Sequence, residues 1–100
     1  MKIIAKLSLS LKAAEGKELE VCEETTRRED LEEKISEMYS IPKENIRVVE
    51  NPSICQKRHL SVEITFDNDS ITMAALERVP YLIRDCRPVE KKVEFKRVRK

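Results

Sequence analysis

Hydrophobic and polar positions alternate along the first dozen residues. Ile3, Ala5, Leu7, Leu9 and Leu11 share one parity, and Lys2, Lys6, Ser8, Ser10 and Lys12 share the other, with Ile4 as the exception. A period of two over this length predicts a half-buried strand. The AAEGK segment then places Gly16 where a hairpin loop needs a positive φ. Leu19 and Val21 alternate with Glu18, Glu20 and Cys22 beyond it. The pattern predicts a β-hairpin, 2–12 with 17–24.

The period then changes. Leu31, Ile35 and Met38 step by four and three, which gives one apolar stripe on a helix over 27–40. Thr26 and Glu29 have capping-box spacing at its start, Glu29 and Asp30 suit the first turn, and Pro42 stops it. NIRVVE, 45–50, reads as a short strand and NPSICQK as a loop. In 58–66 Leu60, Val62, Ile64 and Phe66 face one way, and His59, Ser61, Glu63 and Thr65 the other. The DNDS turn offers N-caps for a second helix from about 70, supported by Ile71, Ala74, Ala75 and Met73 or Leu76 and ended or kinked by Pro80. The last strand is 89–98, with Val93 and Phe95 inward and Lys92, Glu94 and Lys96 outward. Every strand is apolar on one face only. The expected fold is therefore a single α+β domain spanning 1–100. It has two layers in the order ββαββαβ, with a mostly antiparallel sheet and its helices on one face. Leu9, Leu31, Ile35, Val62, Ile64 and Phe95 are expected in one core.

The stretch from Met1 to about Glu50 resembles the first half of a ubiquitin-like β-grasp domain. The features are a hairpin opening MKIIAKLSL, the helix in EDLEEKISEMYSIPKENIRVV, Ile-Pro after it and a strand following. The resemblance implies a central first strand, an edge second strand and a last strand parallel to the first. Conjugating members and sulfur carriers of that family share a C-terminal Gly-Gly tail. This chain ends EFKRVRK, so the resemblance implies no such chemistry. A ferredoxin-like βαββαβ arrangement is the rival, and the tight N-terminal hairpin fits it poorly.

Composition narrows the class. The chain is 40% hydrophobic and 39% charged with a net charge of +1, so the charges are abundant but mixed, unlike those of a disordered chain. Many Lys and Glu with one glutamine (Gln56) is a profile seen in heat-adapted proteins. Lys6 and the alternating serines break any signal-peptide core, and no stretch approaches the roughly 20 apolar residues a membrane helix needs. Cys22, Cys55 and Cys86 are odd in number and far apart. They are expected as free thiols in a reducing, cytoplasmic compartment.

No catalytic or cofactor constellation is legible. One glycine is too few for a P-loop or dinucleotide cradle. Cys55 and His59, four apart, are the only pair with a metal-like spacing, so no cofactor or structural metal is expected. His59 is the only histidine, and its parity places it on the solvent side of its strand. The carboxylates of Glu23, Glu24, Glu29, Asp30, Glu32 and Glu33 suit a solvated helix start, and Asp67–Asp69 suits a turn.

Charge is uneven along the sequence. Residues 15–44 hold eleven acids and five bases, and residues 84–100 hold eight bases and three acids. These features point to a non-catalytic protein-interaction domain: an adaptor, an inhibitor or a subunit of a larger assembly, of the kind mobile genetic elements use against a host machine. The candidate partner-binding residues are Lys57, Arg58, Lys92, Lys96, Arg97, Arg99 and Lys100, and the expected partner is a protein. The alternative is RNA binding through the basic C-terminal strand and tail, which would contact phosphates. The absence of outward aromatics weighs against it, because stacking platforms need them.

Overall fold

The computed structural model describes residues 2–67 and 73–98. It contains a four-stranded sheet with three helices on one side. Strand β1 is Lys2–Ala13, helix α1 Leu19–Thr25, helix α2 Arg28–Tyr39, strand β2 Ile46–Ile54, strand β3 Lys57–Asp67, helix α3 Met73–Leu76 and strand β4 Cys86–Val98. Single 3-10 turns at Lys43–Asn45 and Val79–Leu82 lead into β2 and toward β4. The strands lie in the order β2-β3-β1-β4, and every neighbouring pair is antiparallel.

The expected N-terminal hairpin is absent. Residues 17–24 do not return along β1, because Leu19–Thr25 is helical. Leu19, Cys22 and Thr26 step by three and four and turn toward the sheet, with Cys22 and Thr26 buried. The apparent alternation of Leu19 and Val21 was one turn of helix, and Val21 is exposed. The chain is thus one strand shorter than ββαββαβ. Its last strand is antiparallel to the first, where the β-grasp resemblance implied parallel pairing.

Helix α2 follows the expectation closely. Leu31 and Ile35 are buried, but the stripe continues through half-buried Tyr39 rather than Met38, which is exposed. The Tyr39 hydroxyl donates to the Ala75 carbonyl, and burial pushes this phenol above its usual range. The start lies one residue later than the capping spacing suggested: the Arg27 N–H donates to Asp30 Oδ2 at 3.3 Å. Thr26 instead receives the Arg84 N–H on its hydroxyl at 3.0 Å. Ser40, with φ 53°, ends the helix ahead of Pro42.

NPSICQK is not a loop. Strand β2 runs on to Ile54, and Cys55 and Gln56 form a two-residue hairpin turn with φ of 54° and 58°. Paired positive φ values define the turn whose twist matches the flanking strands. Of the second predicted helix, Met73–Leu76 is helical and Val79–Leu82 is a 3-10 turn containing Pro80. The remainder, 70–72, lies outside the described residues.

The core sits between the sheet and the helices. Ala5, Leu7, Leu9 and Leu11 from β1 and Leu60, Val62, Ile64 and Phe66 from β3 meet Leu31, Ile35, Leu76 and Val79. Leu31→Ala is expected to cost about 3 kcal/mol, as is usual for removing a buried leucine side chain. Chemical denaturation would read this as a lower midpoint with an unchanged slope. Phe95 departs from the expected core. It lies across from Ala5 on the helix side but is 44% exposed, because no described helix reaches this end of the edge strand β4. Phe95→Ala should therefore cost far less than Leu31→Ala.

The cysteines also depart from expectation. Cys22 of α1 and Cys86 at the start of β4 form a disulfide across a sequence separation of 64, and only Cys55 is a free thiol, exposed in the β2–β3 turn.

Candidate protein-docking face

Alternation places one set of side chains from all four strands on the face opposite the helices, and among the described residues no element packs there. Directly opposed residues share a face, so the register defines rows across it. Asn51, His59, Ser10 and Glu90 form one row, and Val49, Ser61, Ser8 and Lys92 the next. Then come Arg47, Glu63, Lys6 and Glu94, followed by Thr65, Ile4 and Lys96. At the other end, beside the β2–β3 turn, alternation brings Lys57, Lys12 and Arg87 to neighbouring positions on three strands. None of these three forms an ion pair among the described residues.

The rows differ in electrostatic character. In the Arg47–Glu63–Lys6–Glu94 row the sign alternates at every strand, so the charges offset one another. The Lys57–Lys12–Arg87 row has one sign only. Between these two rows lies a shallow trough over Ser8, Ser10 and Ser61, walled by Asn51, His59, Glu90 and Lys92. The small side chains leave the backbone low here, and their hydroxyls line its floor. Asn51 Nδ2 donates to Ser61 Oγ at 3.2 Å, and Ser10 Oγ is hydrogen-bonded to His59 Nδ1 at 3.1 Å.

Summed over the face, Lys2, Lys6, Lys12, Arg47, Lys57, Arg87, Lys92 and Lys96 stand against Glu63, Asp67, Glu90 and Glu94. The helical layer has the opposite balance. Residues 18–39 hold nine acids and three bases, Arg27, Arg28 and Lys34. The uneven charge along the sequence therefore becomes two layers of opposite sign.

The expected binding residues divide. Lys57, Lys92 and Lys96 share the bare face. Arg97 lies opposite Ile3 and so belongs to the helix side of the β4 edge. Arg99 and Lys100 lie outside the described residues. Arg58 is a correction. It is 1% exposed, and its guanidinium grips the Glu50 carboxylate at 2.7–3.0 Å while donating to the carbonyls of Cys22 at 2.9 Å and Thr26 at 2.8 Å. It closes the C-terminal end of α1, where orphan carbonyls need donors. Its parity, that of Leu60 and Val62, was the signal that could have placed it inside. Arg87 was missed because the predicted last strand began at 89, whereas Lys12 already had the outward parity of the first strand and only its place beside Lys57 and Arg87 was hidden.

Ser10 and His59 are at nucleophile–base distance. Among the described residues no carboxylate is bonded to the imidazole, and the neighbouring Asn51 is committed to Ser61. The ring thus lacks the orienting partner such a pair requires. Among the described residues there is also no group of three or more side chains placed to hold a metal, and no helix long and apolar enough to cross a membrane.

No family model, curated protein or solved structure matches the chain.

Proposed function

We propose that this chain is a protein-interaction domain without catalysis of its own, an adaptor, inhibitor or assembly subunit, which docks a predominantly acidic protein surface on the bare face of its sheet. The observation that carries this reading is the separation of charge into two layers, with the unpaired Lys57–Lys12–Arg87 row beside the hydroxyl-floored trough. A cationic row steers an acidic partner, and the neighbouring hydroxyls, amide and imidazole suit side-chain hydrogen bonds. The interleaved Glu63, Glu90 and Glu94 favour a protein of mixed charge over a phosphate backbone, which would have to cross them. Among the described residues the face also offers no Phe, Tyr or Trp ring for base stacking, and His59 is its only ring. The element order and strand order correspond to the split βαβ, ferredoxin-like arrangement, a fold used for many purposes, so the reading rests on the face alone.

The test is recovery of the native protein with its partner, followed by charge reversal. Lys12→Glu with Lys57→Glu is expected to weaken the complex by roughly tenfold and to flatten its salt dependence, while the melting temperature is unchanged. Release of the bound material by ribonuclease would replace this reading with the RNA alternative. An unaffected complex would remove the bare face from binding.

A further inference from the structure

The two edges of the sheet are treated differently. On β2, the Glu32 carboxylate of α2 accepts the backbone N–H of Val48 at 3.1 Å, and α2 packs alongside. On β4, among the described residues, no side chain bonds to the backbone from Arg87 to Arg97, and β1 is the only strand neighbour. An open edge of this length is a template for another strand.

The side chains on that edge specify which strand fits. On the bare face β4 carries Glu90, Lys92, Glu94 and Lys96, alternating in sign about Val93. Turned about a two-fold axis at Val93 and laid antiparallel to itself, the segment matches its own charges. Glu90 meets Lys96 of the second copy, and Lys92 meets Glu94 of the second copy. Moving the axis by one residue destroys the match. An axis at Lys92 sets Lys92 on Lys92 and Glu90 on Glu94, and an axis at Glu94 sets Glu94 on Glu94 and Lys92 on Lys96. Within one chain Lys92 and Glu94 are 3.4 Å apart with side chains 76% and 61% exposed, so both remain open to a new neighbour.

The helix side of the edge agrees. The same axis sets Val93 against Val93 and Lys91 against Phe95 of the second copy, which covers a ring otherwise 44% exposed. Lys91 already lies 5.9 Å from the centre of the Tyr81 ring, so it would sit between two aromatic faces. The ladder is regular from Glu90 onward, since the irregularity against β1 lies between Ser10 and Leu11.

We infer that a second copy of this chain pairs antiparallel along β4, centred on Val93, and joins the two sheets into one. This goes beyond the docking of an acidic partner and does not depend on it. The contact is two-fold and self-complementary, the commonest form of closed assembly, and it uses strand addition to an open edge.

Sedimentation and light scattering on the purified full chain test it through charge exchange at Glu90 and Lys96, whose β1 neighbours Ser10 and Ile4 carry no charge. The wild type is expected to dimerise. Lys96→Glu alone sets Glu on Glu twice, Glu90→Lys alone sets Lys on Lys twice, and each should weaken dimerisation by roughly tenfold or more. The double variant should dimerise as the wild type does, and an equal mixture of the two single variants should form a heterodimer. Thermal melts confirm that each variant folds. A wild type that stays monomeric at every accessible concentration would overturn the inference. So would single variants that dimerise undiminished, or a double variant that fails to recover.

Discussion

Glu50→Ala is expected to lower stability by about 4 kcal/mol, although the side chain replaced is 37% exposed. Most changes at so open a position cost less than about 0.5 kcal/mol. The difference lies with the partner. Removing Glu50 leaves the Arg58 guanidinium, 1% exposed, with its charge uncompensated beneath α1. The carbonyls of Cys22 and Thr26 would still accept hydrogen bonds from it, but neither carries a full charge. Glu50→Gln should cost less, since an amide oxygen can still accept from the guanidinium. Combining Glu50→Ala with Arg58→Met should cost less than the sum of the two single changes, because the buried charge that makes the first costly is then gone. Urea denaturation of the four proteins closes the cycle. Strict additivity would show that Glu50 and Arg58 act separately.

Breaking the Cys22–Cys86 disulfide by Cys86→Ala is expected to cost about 4 kcal/mol in the chain-entropy account, for a crosslink closing a loop of 64 residues. Reduction of the wild type should produce a similar fall in melting temperature, and reductant should leave the Cys86→Ala protein unchanged. Cys55→Ala should leave the melt nearly as it is, because that thiol is exposed in the turn. The bond also bears on the setting of the protein. Free thiols in a reducing cytoplasm were expected from odd, widely spaced cysteines, and the pairing of two of them removes that ground. Disulfides are usual in oxidising compartments and also occur in the cell interior of heat-adapted organisms.

Where the sequence was legible, the signal was local. Strands β1 and β3 and helix α2 each carry their own periodicity, and the one-sided core and helix-covered sheet follow from it. Helix α1 was misread because seven residues hold too few repeats to separate a period of two from one of 3.6. A helix that short has little stability of its own. Its stability comes from Cys86, Arg58 and the Asp85 carboxylate bonded to Thr25, all distant in sequence. The misreading of 17–24 then carried into the topology, since a hairpin there favoured the β-grasp order over its rival. Phe95 was misplaced for another reason. Alternation gives the side of the sheet a residue faces, but not whether a helix covers that end of it. The bare face was partly legible, as the outward parities of β1 and β3 were correct. Its basic row was hidden because it needs three strands brought side by side.

The position of β1 sets the order in which the sheet can assemble. Only β2 and β3 are neighbours in both sequence and space, joined by the Cys55–Gln56 turn, so their hairpin can close early. Strand β1 must wait, since Lys2 is opposite Asp67 on one side and Val98 on the other. Contacts of such separation make folding slow, in the millisecond-to-second range typical of non-local sheets rather than of helical bundles. A three-stranded intermediate lacking β4 would present the central strand as an open edge, with Leu7 and Leu9 less covered than in the finished fold. Refolding yield should therefore fall with protein concentration, and truncation before Cys86 should give aggregation rather than a smaller soluble domain.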